Sequence, residues 1–548
     1  MANDHEGPPG TWETLPSPSQ CRPETRLTNS RKIRGPATWA VGDERRTQRW
    51  YRQAKETKRG ETEGRESQRL IVPLSQGNRP EGPWGGKGTP SYEPLEGNMP
   101  GTPRPDPVST KRQRIAELAG NCPDMAFTNL AHHIDNEWLH TAYALTRKDG
   151  AVGVDGQTAE DYEANLKANL QDLLNRAKSG TYVAPPVRRV HIPKAGSTTE
   201  TRPLGIPTFE DKILQRAVLM VLEPVYETDF LDVSHGFRPG RGAHGALDAL
   251  WKHAMKLGGD WIVDVDLRKF FDTIDHGHLR QFLKRRVRDG VILRLIGKWL
   301  NAGVLEDGVV TTPETGTPQG GVISPLLANI VLHYVLDEWF EKEVRPRLKG
   351  AAFLIRYADD FVIGAAREDD ARRIMEVLPK RMSKYGLTVH PEKTRLIRFQ
   401  PPETAGSEAA GRESPSAQTF DFLGFTHYWG RSQRGGWVVK RKTAKGRLKR
   451  AFAALSAWCR GNLHCPIKEQ HQKLVEKLRG HYGYYGIIGN IASLQRFLGG
   501  VRRIWQRCLS RRNRDRAMTW PAFLRLEAHY GLPRARVVHG LSSGAAKS

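Results

Sequence analysis

The tetrapeptide Tyr357-Ala358-Asp359-Asp360 sits between two short apolar runs, Ala352-Phe353-Leu354-Ile355 and Phe361-Val362-Ile363-Gly364. Two such runs with only a tight turn between them predict a β-hairpin. Its turn would hold two adjacent carboxylates, which raise each other's pKa unless a cation sits between them. The hairpin therefore reads as half of a metal site. The segment Trp261-Ile262-Val263-Asp264-Val265-Asp266-Leu267 supplies the other half. Its alternation of apolar and acidic residues predicts a strand with two chemically different faces. Asp264 and Asp266 share one face; Asp266, nearer the strand end, is the better partner for the turn, and Asp264 is the alternative. Asp266, Asp359 and Asp360 together suit two Mg²⁺ ions, hard cations that take oxygen ligands and keep water or phosphate around them. Such a pair would activate a 3′ hydroxyl and stabilise a leaving pyrophosphate in an in-line displacement.

Other residues could assist. Lys194 and Arg202 flank the turn Ala195-Gly196-Ser197, and two strands joined there would aim cations at a triphosphate. Gln319 lies in a Pro-Gln-Gly-Gly turn whose glycines let backbone approach a substrate. Ser324-Pro325 after it predict a helix cap and first helical position. Lys393, in Pro391-Glu392-Lys393, could donate to the leaving pyrophosphate or be an ordinary surface lysine. Asp272 and Asp275 fit the start of the helix after Asp266. Asp369-Asp370 are a contrasting acidic pair that begins an amphipathic helix through Ile374 and Val377. Cys459, His464, Cys465 and His471 lack the paired spacing of common zinc sites, and no metal is assigned to them.

These residues need a scaffold, and the chain divides into parts of different character. Residues 1–118 predict a low-complexity, largely disordered extension: Pro73 to Pro107 alone holds nine prolines and seven glycines. The compact part begins near Met125. Leu130, Ile134, Leu139 and Leu145 fit one face of a helix over Thr128–Arg147; Tyr162, Leu166, Leu170 and Leu173 fit another, and Lys212–Leu222 a third. Strands and helices mix without a βαβ rhythm, which favours α+β. Pro401–Ala417 reads as a surface loop or insertion. From Arg431 to Trp520 there are 22 Lys and Arg against three acidic residues. Leu494, Phe497, Val501, Ile504, Trp505 and Cys508 would share the packed face of a helix whose arginines lie off it. The net charge of +25 favours a polyanionic partner. The basic segment Lys440, Arg441, Lys442, Lys445, Arg447, Lys449 and Arg450 is the expected RNA surface. Five scattered cysteines, no long apolar run and no apolar signal segment predict a soluble, cytoplasmic protein without a membrane partner.

Taken together, the motifs resemble those of bacterial group II intron-encoded reverse transcriptases and maturases, from about Phe127 to about Phe523. They run in that family's order: Gly153-Val154-Asp155-Gly156, Arg202-Pro203-Leu204-Gly205-Ile206-Pro207, Gly236-Phe237-Arg238-Pro239-Gly240-Arg241 and the Asp266 segment. Gly316-Thr317-Pro318-Gln319-Gly320-Gly321 through Ser324-Pro325-Leu326-Leu327-Ala328-Asn329 follows, then Tyr357–Asp360, His390-Pro391-Glu392-Lys393-Thr394 and Phe422-Leu423-Gly424-Phe425. The resemblance implies a right-hand polymerase, with fingers and palm over 119–430, a helical thumb or maturase domain over 431–525 that grips intron RNA, and a tail over 526–548. It implies that Leu267 joins the metal set and that Lys194 and Arg202 bind the triphosphate. It also implies that Gln319 lies against the nucleotide, and that Phe271 blocks a 2′ hydroxyl, with Phe270 the alternative. Lys269 stands where family members often have a small residue. The chain stops soon after Trp520 without the His-rich or paired-Cys segment of an HNH nuclease, so cleavage of a second DNA strand is not expected.

The expected function is RNA-directed DNA polymerase and maturase, acting on intron RNA, an RNA template, a DNA primer or target and deoxynucleoside triphosphates. A homodimer is left open. Two other readings are an RNA-folding splicing factor with a vestigial polymerase site and a reverse transcriptase recruited to antiviral defence. The intact carboxylates weigh against the first. The basic region with Gly480-His481-Tyr482-Gly483-Tyr484-Tyr485 and Gly489-Asn490 weighs against the second.

Overall fold

The computed structural model describes residues 107–193, 201–312, 315–317, 320–402, 418–512 and 517–540. Lys194, Gln319, the extension up to residue 106 and most of the Pro401–Ala417 insertion lie outside the described residues. The first helices are α1 (Pro107–Asn121), α2 (Asn136–Leu145), α3 (Ala159–Glu163) and α4 (Leu166–Ser179). Strands β1 (Val187–Pro193) and β2 (Thr201–Ile206) lead into α5 (Phe209–Asp229) and α6 (Ala243–Leu257). Then come β3 (Asp260–Val265), α7 (Phe270–Thr273), α8 (His276–Arg286), α9 (Gly290–Leu300), β4 (Val304–Glu306), β5 (Val309–Thr311) and α10 (Ser324–Leu332). The hairpin is β6 (Ala352–Tyr357) and β7 (Asp360–Ala365), followed by α11 (Glu368–Ser383) and β8 (Arg395–Phe399). Strands β9 (Phe420–Phe422), β10 (Phe425–Arg431) and β11 (Trp437–Thr443) precede four helices, α12 (Lys445–Gly461), α13 (Ile467–Tyr485), α14 (Ile491–Ser510) and α15 (Trp520–His529).

Order begins before Met125, earlier than composition predicts. Helix α1 buries Val108, Ile115 and Ala119 on one face, and Arg112 pairs with Glu223 of α5 at 2.5 Å. The expected helix over Thr128–Arg147 is broken. A 3₁₀ turn over Ala131–His133 precedes α2, whose start is fixed by Asp135 accepting from the Trp138 amide at 2.9 Å. Leu145 is exposed instead of packed, because it falls in the last turn of α2. The next stretch forms two helices, α3 and α4. Ser324 is the first residue of α10 rather than its cap; Gln215 Oε1 accepts from the Val322 amide at 2.8 Å just before it.

Three sheets carry the strands: β2-β1-β4-β5, β6-β7-β3-β8 and β11-β10-β9. Every pairing is antiparallel except β1 with β4. This is the α+β mixture that the missing βαβ rhythm predicts. The central sheet is covered on both faces, which is why its strands read as near-continuous apolar runs. Val263, Val265, Leu354, Phe361 and Ile363 join the large cluster with α5, α8, α10 and α11. Ile262, Phe353, Ile355 and Val362 face Leu247 and Leu250 of α6 and an aromatic group, Phe399, Phe420, Phe422, Phe425 and Trp429.

The four carboxy-terminal helices share a core of their own around Leu474, Leu478, Leu494, Phe497, Val501 and Trp505. It extends past residue 525, where the helical domain is expected to end: Leu526, Tyr530, Leu532 and Ala535 pack on it. The segment after α15 then runs back along α13. Tyr482 donates to Pro533 O at 3.1 Å, and the His539 amide donates to Gly486 O at 2.9 Å. The His539 ring stacks on His244 of α6 with centroids 3.8 Å apart. No helix among the described residues is long and apolar enough to cross a membrane.

Candidate active site

Strand pairing brings the predicted carboxylates together. Val265 lies opposite Phe361 and Asp264 opposite Val362; one step further, the same register sets Asp266 opposite Asp360. Tyr357 pairs with Asp360 across the hairpin, leaving Ala358 and Asp359 as its two-residue turn. Ala358 takes φ 57°, the sign that tight hairpin turns require.

The charges confirm the crowding. Asp360 is open to solvent at the turn, yet it lies on the floor of a cleft where protein replaces most of the surrounding water. That burial, reinforced by Asp264, Asp359 and Asp266, pushes its carboxyl up to about 7. Burial also raises Asp359, with Asp266 adding to the effect and Arg202 opposing it. Asp264 is raised by burial too, although Arg395 donates to it at 2.8 Å. Lys393 donates to Asp266 Oδ2 at 3.0 Å. Four acidic side chains of mutually raised proton affinity are the donor set a divalent cation stabilises. Among the described residues no three His, Cys, Asp or Glu side chains close round a single point tightly enough to hold a metal ion. Asp264 and Asp266 turn instead to cations at the start of β8 and just before it.

The segment His390–Thr394 is wrapped around Asp266. The His390 amide donates to Asp266 O at 2.8 Å, the Arg268 amide donates to Thr388 O at 2.8 Å, and Leu267 bridges Val389. Lys269 then takes φ 49° as the residue before α7. A small residue, glycine above all, suits this left-handed position. Asp275 caps α8, accepting from the His278 amide at 2.6 Å. Asp370 does more than start α11: it accepts from the amides of Lys349 and Gly350 at 3.2 and 2.8 Å, which fixes the approach to β6.

The nucleotide-side residues gather on the other flank. Phe270 is buried in the core, while Phe271 is only half-buried. The Thr317 amide donates to Phe271 O at 2.8 Å, which ties the Gly316 segment to it. A Cβ at Gly320 would overlap Gly205 O of β2, so the loop that carries Gln319 rests on the strand that carries Arg202. Arg202 is close enough for Asp359 to feel its charge.

Sequence reasoning missed the support beneath the turn. Arg356 is wholly buried and donates to both carboxylate oxygens of Asp337, at 2.7 and 2.5 Å. Asn329 donates to Gly236 O at 2.8 Å, and a Cβ at Gly236 would overlap the Ala358 amide nitrogen. Phe237 holds φ 56° with its side chain exposed, 6.5 Å from the Tyr357 ring. Backbone strain of this kind costs about 1–3 kcal/mol and collects beside functional sites. Arg441, expected at the RNA surface, is a correction. It is buried and donates to Leu247 O at 3.2 Å, because alternation along β11 turns it inward while Lys440 and Lys442 turn outward.

Comparison with known proteins agrees with this geometry. Residues 192–427 match the family model described as reverse transcriptase (RNA-dependent DNA polymerase). The protein YkfC of Escherichia coli is 35% identical over 47% of this chain and 75% of its own length. The group II intron-encoded protein LtrA of Lactococcus lactis is 37% identical over 41% of this chain but only 38% of its own length. Nuclear intron maturase 2 of Arabidopsis thaliana is 31% identical over 27% of this chain and 25% of its own length. Crossed carboxylate strands, the ordered motifs and these matches lead to one conclusion: the chain belongs to the reverse transcriptase family, in the branch of group II intron-encoded proteins and intron maturases.

Proposed function

We propose that the protein copies RNA into DNA at the Asp266–Asp359–Asp360 cleft, and that it also binds group II intron RNA to assist splicing and target-primed reverse transcription. The observation that supports this most directly is the register setting Asp266 opposite Asp360, beside the Ala358-Asp359 turn. Asp266, Asp359 and Asp360, with Leu267, would hold two Mg²⁺ ions. When bound, the ions supply activation of the 3′ hydroxyl and charge neutralisation at the leaving pyrophosphate.

The remaining roles belong to the chain itself. Arg202, with Lys194, holds the incoming triphosphate by charge-assisted hydrogen bonds. Phe271, tied to the Gly316 segment, closes the sugar pocket against a 2′ hydroxyl, and Gln319 lies against the nucleotide. Lys393, already within 3.0 Å of Asp266, is positioned to give a proton to the leaving pyrophosphate. Lys440, Lys442, Lys445, Lys449 and Arg450 contact intron RNA, and the protein works in the cytoplasm. Primer extension with Mg²⁺ on a poly(rA)-type template tests the reading. Failure to incorporate deoxynucleotides would overturn it.

A further inference from the structure

The turn between β9 and β10 carries two consecutive residues in the left-handed region, Leu423 at φ 49° and Gly424 at φ 83°. It is fastened to the helical domain from above. Tyr484 donates to Leu423 O at 2.8 Å, and the Ala444 amide donates to Gly424 O at 3.0 Å. A Cβ at Gly424 would stand 3.2 Å from the Tyr485 hydroxyl and 3.5 Å from Arg447 Nε, so both side chains lie directly over the turn. Arg447 belongs to the first turn of α12 and is exposed. Its charge is felt at Asp360 and at Tyr484, which in turn feels Tyr357. No ion pair or hydrogen bond of its guanidinium occurs among the described residues.

The two carboxylates of the hairpin turn thus sense two guanidiniums from different parts of the protein. Asp359 senses Arg202 of β2, and Asp360 senses Arg447 of α12. The reaction joins two phosphate-bearing partners. Arg202 addresses the triphosphate, whereas the strand that ends in the attacking hydroxyl must bring its own last phosphodiester close to four acidic side chains. A cation is needed on that side as well. An arginine fork, free of protein partners, matches a phosphate with two parallel donors.

We propose that Arg447 is the binding residue for the terminal phosphodiester of the primer strand, held over the Leu423-Gly424 turn by the Tyr484–Tyr485 corner. It is therefore part of the polymerase cleft and not of the intron-RNA surface, where its place in the basic run of sequence would put it. This rests on the polymerase reading above.

The test is equilibrium binding of a primer–template duplex to the full chain, with the last primer linkage either natural or a neutral methylphosphonate. Arg447→Gln should weaken binding of the natural duplex about tenfold, the loss expected for a hydrogen bond to a charged group. It should leave the methylphosphonate duplex unchanged within about twofold, while Arg447→Lys recovers part of the loss on the natural duplex. Lys449→Gln serves as the neighbouring control and should not distinguish the two linkages. Equal weakening of both duplexes by Arg447→Gln, or weakening of intron-RNA binding alone, would overturn the proposal. A wild-type protein that shows the linkage effect but incorporates no deoxynucleotide would overturn the polymerase reading and leave the phosphate site standing.

Discussion

Arg356 Nη1 donates to Asn329 Oδ1 at 2.9 Å, and the same nitrogen reaches Ala358 O at 3.0 Å. Asn329 thereby links the helix α10 to the turn that carries Asp359. Asn329→Ala would leave a buried guanidinium donor unpaired, at a cost of about 1–3 kcal/mol. DNA synthesis should fall about tenfold or more through kcat, with little change in the KM for deoxynucleotide, because the carboxylates shift while the triphosphate-binding groups stay in place. Steady-state kinetics beside a thermal melt separate this from simple unfolding.

Asp337 and Arg356 are both fully buried, so removing one partner strands the other's charge. Asp337→Ala should destabilise the protein by about 3–5 kcal/mol. Denaturant titration followed by tryptophan fluorescence measures it; a midpoint equal to that of the parent would show that the pair is not what fixes β6.

Asp359→Ala should abolish DNA synthesis, by a factor on the order of a thousand or more. Intron-RNA affinity should remain, since the Lys and Arg of β11 and α12 supply it. Parallel primer-extension and filter-binding assays read the two properties apart.

Replacing Lys440, Lys442, Lys445, Lys449 and Arg450 with Gln should flatten the dependence of RNA affinity on salt, by roughly 0.7–0.9 in slope for each phosphate that is no longer neutralised. Arg441→Gln behaves differently. It should lower the melting temperature and leave the slope alone, because its side chain lies under α6.

His427 is fully buried, stacked on Phe420 with centroids 4.8 Å apart, and neither ring nitrogen has a hydrogen-bond partner. Burial, then Arg441, lowers its pKa from 6.5 to about 3; burial likewise lowers His235 and His481 to about 4. Below pH 6.5 the unfolded chain takes up protons that the folded chain refuses. Stability is therefore intact above 6.5 and is lost progressively as pH falls toward 3. His427→Phe should raise the melting temperature and reduce this acid sensitivity, as differential scanning calorimetry at pH 7 and pH 5 would record.

Much of the catalytic half is legible in the sequence because its signals are local. The hairpin announces itself by apolar runs on both sides of two acids, and Asp266 by alternation along one strand. Arg441 is legible too, since the same alternation separates it from Lys440 and Lys442; grouping the whole basic run together hides it. Arg356 is not legible. It interrupts an apolar strand as a solvent-facing residue would, and its partner Asp337 ends a π-helical turn over His333–Asp337. That wider turn changes which side chains face inward, and regular helical spacing does not reveal it. The packing of Leu526 to Ala535 has no local signal, because it depends on where α15 delivers the chain, a tertiary fact.

The stacked imidazoles of His244 and His539 couple motion as well as structure. They lie across the joint between the sheet that carries the acids and the bundle that would embrace a duplex. Any outward swing of that bundle must first slide these rings apart. Stepping along a nucleic acid by one nucleotide should therefore be a movement of the duplex through a stiff sleeve, with the bundle and the carboxylate platform travelling as one piece.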